Sequence, residues 1–70
     1  MTADNIRAIL TYAKDSGLNA EVFIKHDFLI FFDYPFVFEV EDEYLYKAVS
    51  NNDWIKCRLD IIDSIRVFEP

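Results

Sequence analysis

One stretch restricts the fold of this chain more than any other: from Val22 to Val40, VFIKHDFLIFFDYPFVFEV, apolar residues recur at alternate positions. Alternation of this kind is typical of β-strands, whose successive side chains point to opposite faces of a sheet. A membrane-spanning helix needs about 20 consecutive residues that are almost all apolar, but Lys25, His26 and Asp27 interrupt this stretch. The pattern therefore predicts the strands of a soluble sheet.

Three strands are predicted in this stretch, over roughly residues 20–25, 28–33 and 36–41. The breaks between them fall at His26-Asp27 and at Tyr34-Pro35. Proline has no backbone N–H to donate to a ladder, so Pro35 belongs at a strand start or at an edge. Because His26-Asp27 is a weak turn signal, an alternative interpretation joins the first two strands into one long bent strand.

An amphipathic helix is predicted before the strands, over residues 4–15. Thr2 can cap its start, because a threonine hydroxyl accepts a hydrogen bond from a backbone N–H of the first turn. Gly17 is expected to follow its end in the left-handed conformation, with Leu18 packing back on the last turn. The apolar stripe of this helix consists of Ile6, Ile9, Leu10 and Ala13. So narrow a stripe should lie on the sheet or plug one open end of it.

The second half of the chain fits either period, and two interpretations stay open for residues 53–65. In the first, Asp53 caps a helix whose apolar residues are spaced near helical positions. In the second, YLYKAV and WIKCRL form a hairpin around the polar turn SNND, followed by a short turn at residues 60–63 and a last strand, SIRVF. Enrichment in aromatic and β-branched residues favours the strands.

These elements predict a single domain over residues 1–70, because a chain of 70 residues provides for only one core. The expected class is α+β or mainly β: an N-terminal helix followed by a strongly bent antiparallel sheet of five or six strands. Seven Phe, four Tyr and one Trp supply much of the area that so short a chain must bury. The predicted core includes Ile9, Leu10, Phe28, Ile30, Phe38 and Ile65.

The charges of the chain are distributed unevenly. Between Lys25 and Lys47 there is no lysine or arginine, and the seven acids and seven bases elsewhere cancel, so the net charge of -6 arises in this one segment. Its acids are Asp27, Asp33, Glu39, Glu41, Asp42 and Glu43. Such a field repels phosphate backbones and anionic lipid surfaces, and it attracts basic protein surfaces. We therefore expect no direct binding of nucleic acid or membranes, and a larger protein with a basic surface as the partner.

The predicted partner-binding surface lies within and beside this acidic segment. In the strand interpretation Glu39 and Glu41 point away from the face that carries Phe38 and Val40. Tyrosines follow directly, and tyrosine is frequent among the residues that dominate binding energy. The predicted site residues are Asp33, Glu39, Glu41, Asp42, Glu43, Tyr44 and Tyr46. The alternative is that these acids only solubilise the chain and protect sheet edges.

No catalytic or metal-binding motif is present in the sequence. His26 is the only histidine, and a turn or surface position is its expected role. Cys57 is the only cysteine, which excludes an internal disulfide framework and fits a reducing compartment, so the cytoplasm is expected. In the strand interpretation its basic neighbours, Lys56 and Arg58, point to the opposite face, so an inert buried thiol is expected. The sequence thus predicts a non-enzyme without cofactor or metal.

The C-terminal segment EYLYKAVSNNDWIKCRLDIIDSIRVF resembles the closing strands of a small Sm-like or SH3-like barrel, in which a hairpin, a one-turn link and a final strand follow one another. With a helix before it, the chain is similar to the small acidic Rof-type inhibitors of the Rho termination factor. The similarity lies in the order of elements and in the apolar pattern of RLDIIDSI. It implies a small barrel and an inhibitor of a nucleic-acid-handling protein, and it carries over no binding residue.

Three functional classes remain. The favoured one is a small acidic interaction protein that binds, and inhibits or modulates, a larger protein; by analogy, such chains are common among phage and mobile-element products. The second is a homo-oligomeric structural module, because apolar residues occur on both faces of residues 28–32, and something must cover the second face. The third is a small-ligand binding barrel.

Overall fold

The computed structural model describes all 70 residues and contains one α-helix, six β-strands and one short 3₁₀ helix. In chain order these are α1 (Ala3–Asp15), β1 (Asn19–Ile24), β2 (Phe28–Phe32), β3 (Phe38–Val40), β4 (Tyr44–Ala48), β5 (Trp54–Arg58), the 3₁₀ helix (Leu59–Ile61) and β6 (Ile62–Phe68). Every strand pairing is antiparallel. The predicted α+β class, with one N-terminal helix followed by antiparallel strands, is confirmed.

Both predicted ends of the helix are confirmed. At the start, the Thr2 hydroxyl accepts a hydrogen bond from the backbone N–H of Asn5 at 3.2 Å. At the other end, Gly17 adopts a φ of 70° and the Leu18 N–H donates to the Ala13 carbonyl at 2.8 Å. This is the 6→1 hydrogen bond of a Schellman motif, and only glycine takes up the required conformation without strain. The chain therefore leaves α1 in a fixed direction and enters β1 after three connecting residues.

The strands form two three-stranded sheets. Sheet 1 has the strand order β2-β1-β6, and sheet 2 has the order β3-β4-β5. The chain crosses from sheet 1 to sheet 2 through residues 33–37, which contain the cis peptide bond Tyr34-Pro35, and it returns through the 3₁₀ helix. Pro35 thus lies between strands, where its missing N–H removes no ladder hydrogen bond. The barrel closure that the resemblance implies stays a prediction.

A tight hairpin joins β1 to β2. Ile24 pairs with Phe28, so only three residues connect the strands. His26 and Asp27 have φ values of 69° and 66°, and Asp and His tolerate this left-handed conformation better than most residues. The interpretation as one long bent strand is therefore wrong. His26-Asp27 forms the turn of a hairpin, although its residues are a weak turn signal in the sequence.

The second half of the chain is a hairpin followed by a last strand, so the helical interpretation of residues 53–65 is wrong. In the turn, the Ser50 hydroxyl donates to the Asp53 carboxylate at 2.8 Å, and the Val49 N–H donates to the Asp53 carbonyl at 2.9 Å. Asp53 thus closes the loop of the β4–β5 hairpin instead of capping a helix. The predicted one-turn link is the 3₁₀ helix, and β6 begins at Ile62, two residues earlier than expected.

The core lies between the two sheets and α1, which packs on β1 and β6 of sheet 1 and on β3 of sheet 2. At its centre the rings of Phe32 and Phe36 meet edge to face, with centroids 5.3 Å apart. The buried cluster consists of Ile6, Leu10, Ala13, Ala20, Val22, Phe32, Phe36, Leu45, Cys57, Leu59 and Ile62. Of the predicted core residues, Leu10 is fully buried, and Ile30, Phe38 and Ile65 are partly buried against this cluster.

The prediction that Phe28 belongs to the core is wrong, since 67% of its surface is exposed. Phe28 lies on the same face of β2 as Phe32, but it follows the turn at the far end of the strand. The period of two correctly identifies the face of the strand on which a residue lies. How deeply that residue is buried depends on which part of the face the helix and the second sheet cover. Ile9 is only partly buried, at the margin of the helical stripe.

The outer face of sheet 1 is apolar and has no covering element. Phe23, Leu29 and Phe31 point to this face by the alternation of the strands and are 37%, 47% and 40% exposed. The rings of Phe31 and Phe68 lie 5.9 Å apart on this face, where Glu21 pairs with Arg66. The helix packs elsewhere. No helix of the chain combines the length and apolar character needed to cross a bilayer.

Candidate protein-interaction surface

The β3–β4 hairpin determines which way the acidic segment faces. In its ladder Glu39 pairs with Tyr46, and Val40 pairs with Leu45. Leu45 is buried in the core, so the alternation of a strand directs Glu39 and Tyr46 to the outer face of sheet 2. The predicted outward orientation of Glu39 is thus confirmed, because Phe38 and Val40 pack against the core cluster on the other face.

The tip of this hairpin carries three consecutive acids. The Glu41 N–H donates to the Tyr44 carbonyl at 2.9 Å, which closes a tight turn with Asp42 and Glu43 at its end. All three acids are exposed. The end of β3 next to this turn is tied to the helix, because the Arg7 guanidinium of α1 donates to the Val40 carbonyl at 3.0 Å. The turn therefore holds three carboxylates close together in solvent.

No acid of the segment from Asp27 to Glu43 takes part in a salt bridge. The chain has three such pairs, Arg7–Asp4, Arg58–Asp60 and Arg66–Glu21. Each pair joins a base to an acid that lies outside the segment. The excess negative charge that the sequence assigns to this segment is therefore not neutralised by direct pairing in the folded chain.

Two tyrosines and a lysine lie together on the outer face of sheet 2. Tyr44 and Tyr46 are two residues apart on β4, and their partly buried rings lie 6.1 Å apart. The Lys56 ammonium of β5 lies 4.7 Å from the centroid of the Tyr44 ring, within the range of a cation–π interaction. Tyr44 is thus positioned against a cation of the chain itself.

Sequence reasoning missed the bases that border this surface. Arg7 comes from α1, and Lys56 and Arg58 come from β5, where they pair with Tyr46 and Tyr44. All three are distant in sequence from the acidic hairpin. Lys56 and Arg58 flank the buried Cys57, so strand alternation places both on the outer face. Only the β4–β5 register shows which tyrosine each of them adjoins.

Sequence reasoning also missed Trp54. The hollow next to Tyr46 has a volume of about 330 Å³ and is lined by Glu39, Glu41, Tyr46 and Trp54. Trp54 is 44% exposed and pairs with Ala48 in the β4–β5 ladder. We call this the Trp54 hollow. It combines two carboxylates with two aromatic side chains.

The structure brings six of the seven predicted site residues together along one hairpin. A second hollow, of about 550 Å³, lies along its other side and is lined by Arg7, Val40, Glu41, Asp42, Glu43 and Tyr44. Asp33 lies apart from both: it lines a different hollow, in the crossing between the sheets, together with Val37 and Lys47. Asp33 is therefore not part of the hairpin surface.

The two residues with potential chemical reactivity lie away from this surface or below it. His26 is exposed in the β1–β2 turn. Cys57 is buried beneath sheet 2, and burial raises the pKa of its thiol, with a further contribution from the nearby Asp60 carboxylate. Such a thiol stays protonated at neutral pH and is a poor nucleophile. No three His, Cys, Asp or Glu side chains are grouped so as to hold a metal ion.

Comparison with known proteins finds no relationship that would assign a function. No protein-family model matches the chain, no curated protein matches its sequence, and no solved structure matches its fold. The function must therefore be argued from the surface itself.

Proposed function

We propose that this chain is a small non-catalytic interaction protein that binds the basic surface of a larger protein through its β3–β4 hairpin, and thereby inhibits or modulates it. One observation carries the proposal: the acids of this hairpin are exposed and free of salt bridges, although the chain has seven bases. Like charges held close together on one turn repel each other. An opposing basic surface would relieve that repulsion.

Charge and aromatic side chains support the proposal in different ways. Unpaired carboxylates accelerate the encounter with a basic partner over a distance of about a Debye length. Tyr44 and Tyr46 lie beside them, and a tyrosine ring contributes much contact area with little loss of conformational entropy. Charge would thus determine how fast the partner is found, and the rings would determine how long it stays.

We further propose that the partner handles nucleic acid, because such proteins carry the basic surfaces that this hairpin complements. The similarity in element order to small Sm-like barrels, and to the Rof-type inhibitors of Rho, points in the same direction. The site of action is then the cytoplasm, and a phage or mobile-element origin is the natural source of such an inhibitor.

A charge-reversal comparison tests the proposal. Basic proteins are first captured on the wild-type chain from a lysate of the cells in which the chain is found, and each is purified. Each is then titrated onto the immobilised wild-type chain and onto the immobilised double variant Glu41→Lys, Glu43→Lys. A matched control, Asp63→Lys with Glu69→Lys, makes the same change in net charge at exposed acids outside the hairpin. We expect at least a tenfold loss of affinity for the first variant only. An equal loss of affinity for both variants would show that binding depends on the net charge of the chain and not on the hairpin.

A second candidate function, a homo-oligomeric structural module, is favoured by the outer face of sheet 1. Phe23, Leu29 and Phe31 form an exposed apolar face on which Glu21 and Arg66 neutralise each other. Because these two charges are already paired with each other, a second copy can cover this face under twofold symmetry without burying an unpaired charge. The two functions use different sheets, so a dimer can still present its acidic hairpins.

A further inference from the structure

The Trp54 hollow has the composition of a receptor for a cationic side chain. It lies on the outer face of sheet 2 and is lined by Glu39, Glu41, Tyr46 and Trp54. We propose that it receives one arginine side chain of the partner, with the guanidinium stacked on Trp54 and hydrogen-bonded to Glu39 and Glu41. This inference rests on the proposed function, for which it names the group that the partner must supply.

The lining residues favour a cation over a neutral or anionic group. Neither carboxylate of the hollow takes part in any of the three salt bridges of the chain, and no lysine or arginine is among its lining residues. Aromatic faces attract cations through their quadrupole, and tryptophan does so most strongly. Carboxylate charge and ring quadrupole therefore attract the same kind of ligand in the same place.

A contact within the chain shows that this face already holds a cation on an aromatic ring. Lys56 pairs with Tyr46 in the β4–β5 ladder, yet its ammonium lies 4.7 Å from the centroid of the neighbouring Tyr44 ring. Lys56 thereby occupies one tyrosine and leaves the hollow beside the other without a cation of the chain. Of the three aromatic side chains on the outer face of sheet 2, Tyr44, Tyr46 and Trp54, only Tyr44 has a cation of the chain over its ring.

The geometry favours arginine over lysine as the ligand. A guanidinium is planar, so it can stack on a ring while its N–H groups reach carboxylates at its edge. Glu39 lies directly across the ladder from Tyr46, and Glu41 lies just after the end of β3 and lines the same hollow, so two carboxylates border one aromatic wall. A lysine ammonium is more strongly hydrated and lacks the planar fork, and it would use only one part of this site.

The test uses short peptides in place of the partner. Three capped tripeptides, with Arg, Lys or citrulline at the centre, are titrated into the full chain, and citrulline keeps the shape of arginine without its charge. Trp54 is the only tryptophan, so its fluorescence reports binding at the hollow directly. We expect the Arg peptide to bind at least about tenfold more tightly than the citrulline peptide and more tightly than the Lys peptide. Equal binding of the three peptides would overturn the inference.

Two variants assign the binding to the hollow. Glu39→Gln keeps Trp54 as the probe and should weaken the Arg peptide severalfold without affecting citrulline. Trp54→Leu removes the fluorescent probe, so binding to this variant is measured by the backbone amide shifts of Tyr46. This variant should lose the preference for Arg, whereas Tyr12→Leu on the exposed face of α1 should keep it. A preference for Arg that survives both site variants would place the binding elsewhere and contradict the proposal. If the partner still depends on the hairpin charges while the peptides do not discriminate, only this inference fails.

Discussion

Lys47 joins the two sheets: its ammonium donates a hydrogen bond to the Phe31 carbonyl at 2.5 Å and lies 5.5 Å from the centroid of the Phe32 ring. Lys47 belongs to β4 of sheet 2, whereas both phenylalanines belong to β2 of sheet 1. No ladder crosses between the sheets at this edge. One side chain therefore satisfies an edge carbonyl that a neighbouring strand would otherwise bind.

Replacing Lys47 by Met tests this link, because methionine keeps the apolar stem and removes the ammonium. We expect the free energy of unfolding to fall by about 1 kcal/mol, since the lost bond involves a charged but partly solvated donor. For a domain of this size that corresponds to a fall in Tm of about 4–8 °C. Lys25→Met, at an exposed turn position, is the control and should melt close to wild type. Equal Tm values for the two variants would contradict the link.

The second prediction contrasts two phenylalanines on the same face of β2. Phe32 is fully buried against Phe36, whereas Phe28 is largely exposed. Phe32→Ala should cost about 3–5 kcal/mol, which is comparable to the total stability of a small domain. Phe28→Ala should change the free energy of unfolding by about 0.5 kcal/mol. Urea denaturation measures both, and a stable Phe32→Ala protein would show that the core lies elsewhere.

The local elements of this fold could be predicted from the sequence because their signals are local. Thr2 and Gly17 lie within one turn of the helix ends they determine, and the strand pattern alternates within a few residues. The polar turn from Ser50 to Asp53 is also fixed by contacts between near neighbours. In each case the residues that determine the structure lie within a few positions of the structure they determine.

The remaining features depend on contacts between distant residues. Phe28 and Phe32 show the same alternation, and only the positions of α1 and sheet 2 determine that one is exposed and the other buried. In the same way Trp54 reaches Glu39 only through the registers of two ladders. Pattern alone could place the acids of the candidate surface, but not the bases and the tryptophan that surround them.

The third prediction concerns Cys57, whose thiol pKa is raised above its ordinary value of 9.0. The unfolded chain loses the thiol proton at lower pH than the folded chain does, so above about pH 9 the folded state binds more protons. Stability contributed by the protonated thiol is fully present below the unfolded pKa and is lost as pH rises through the folded one. Wild-type stability should therefore fall from pH 8 to pH 10 more than that of Cys57→Ala.

A labelling experiment gives an independent measurement of the same thiol. At pH 8 a disulfide reagent should modify Cys57 in the folded chain far more slowly than in urea, because burial both shields the sulfur and keeps it protonated. Labelling at the same rate in both conditions would show that Cys57 is accessible in the native state.

The fourth prediction concerns the apolar outer face of sheet 1. If a second copy covers Phe23, Leu29 and Phe31, the chain should sediment at micromolar concentration with twice its mass of 8.3 kDa. Leu29→Lys places a charge among the apolar side chains of this face and should return the chain to a monomer. Val37→Lys, at an exposed apolar residue outside the face, should leave the dimer intact. A wild-type mass of 8.3 kDa would remove self-association as a function.

The last prediction separates the roles of charge and aromatic contact in partner binding. Screening shortens the reach of exposed charges from about 30 Å at 0.01 M salt to about 8 Å at 0.15 M. If the unpaired acids at the hairpin tip guide the encounter, the association rate constant should fall steeply over this range, while the dissociation rate constant changes little. Neutralising the tip with Asp42→Asn and Glu43→Gln should flatten this salt dependence, whereas Tyr46→Leu should mainly accelerate dissociation. Stopped-flow or surface-based kinetics with the purified partner measure both constants. An association rate that is insensitive to salt would mean that the acids serve the solubility of the chain and that the partner binds elsewhere.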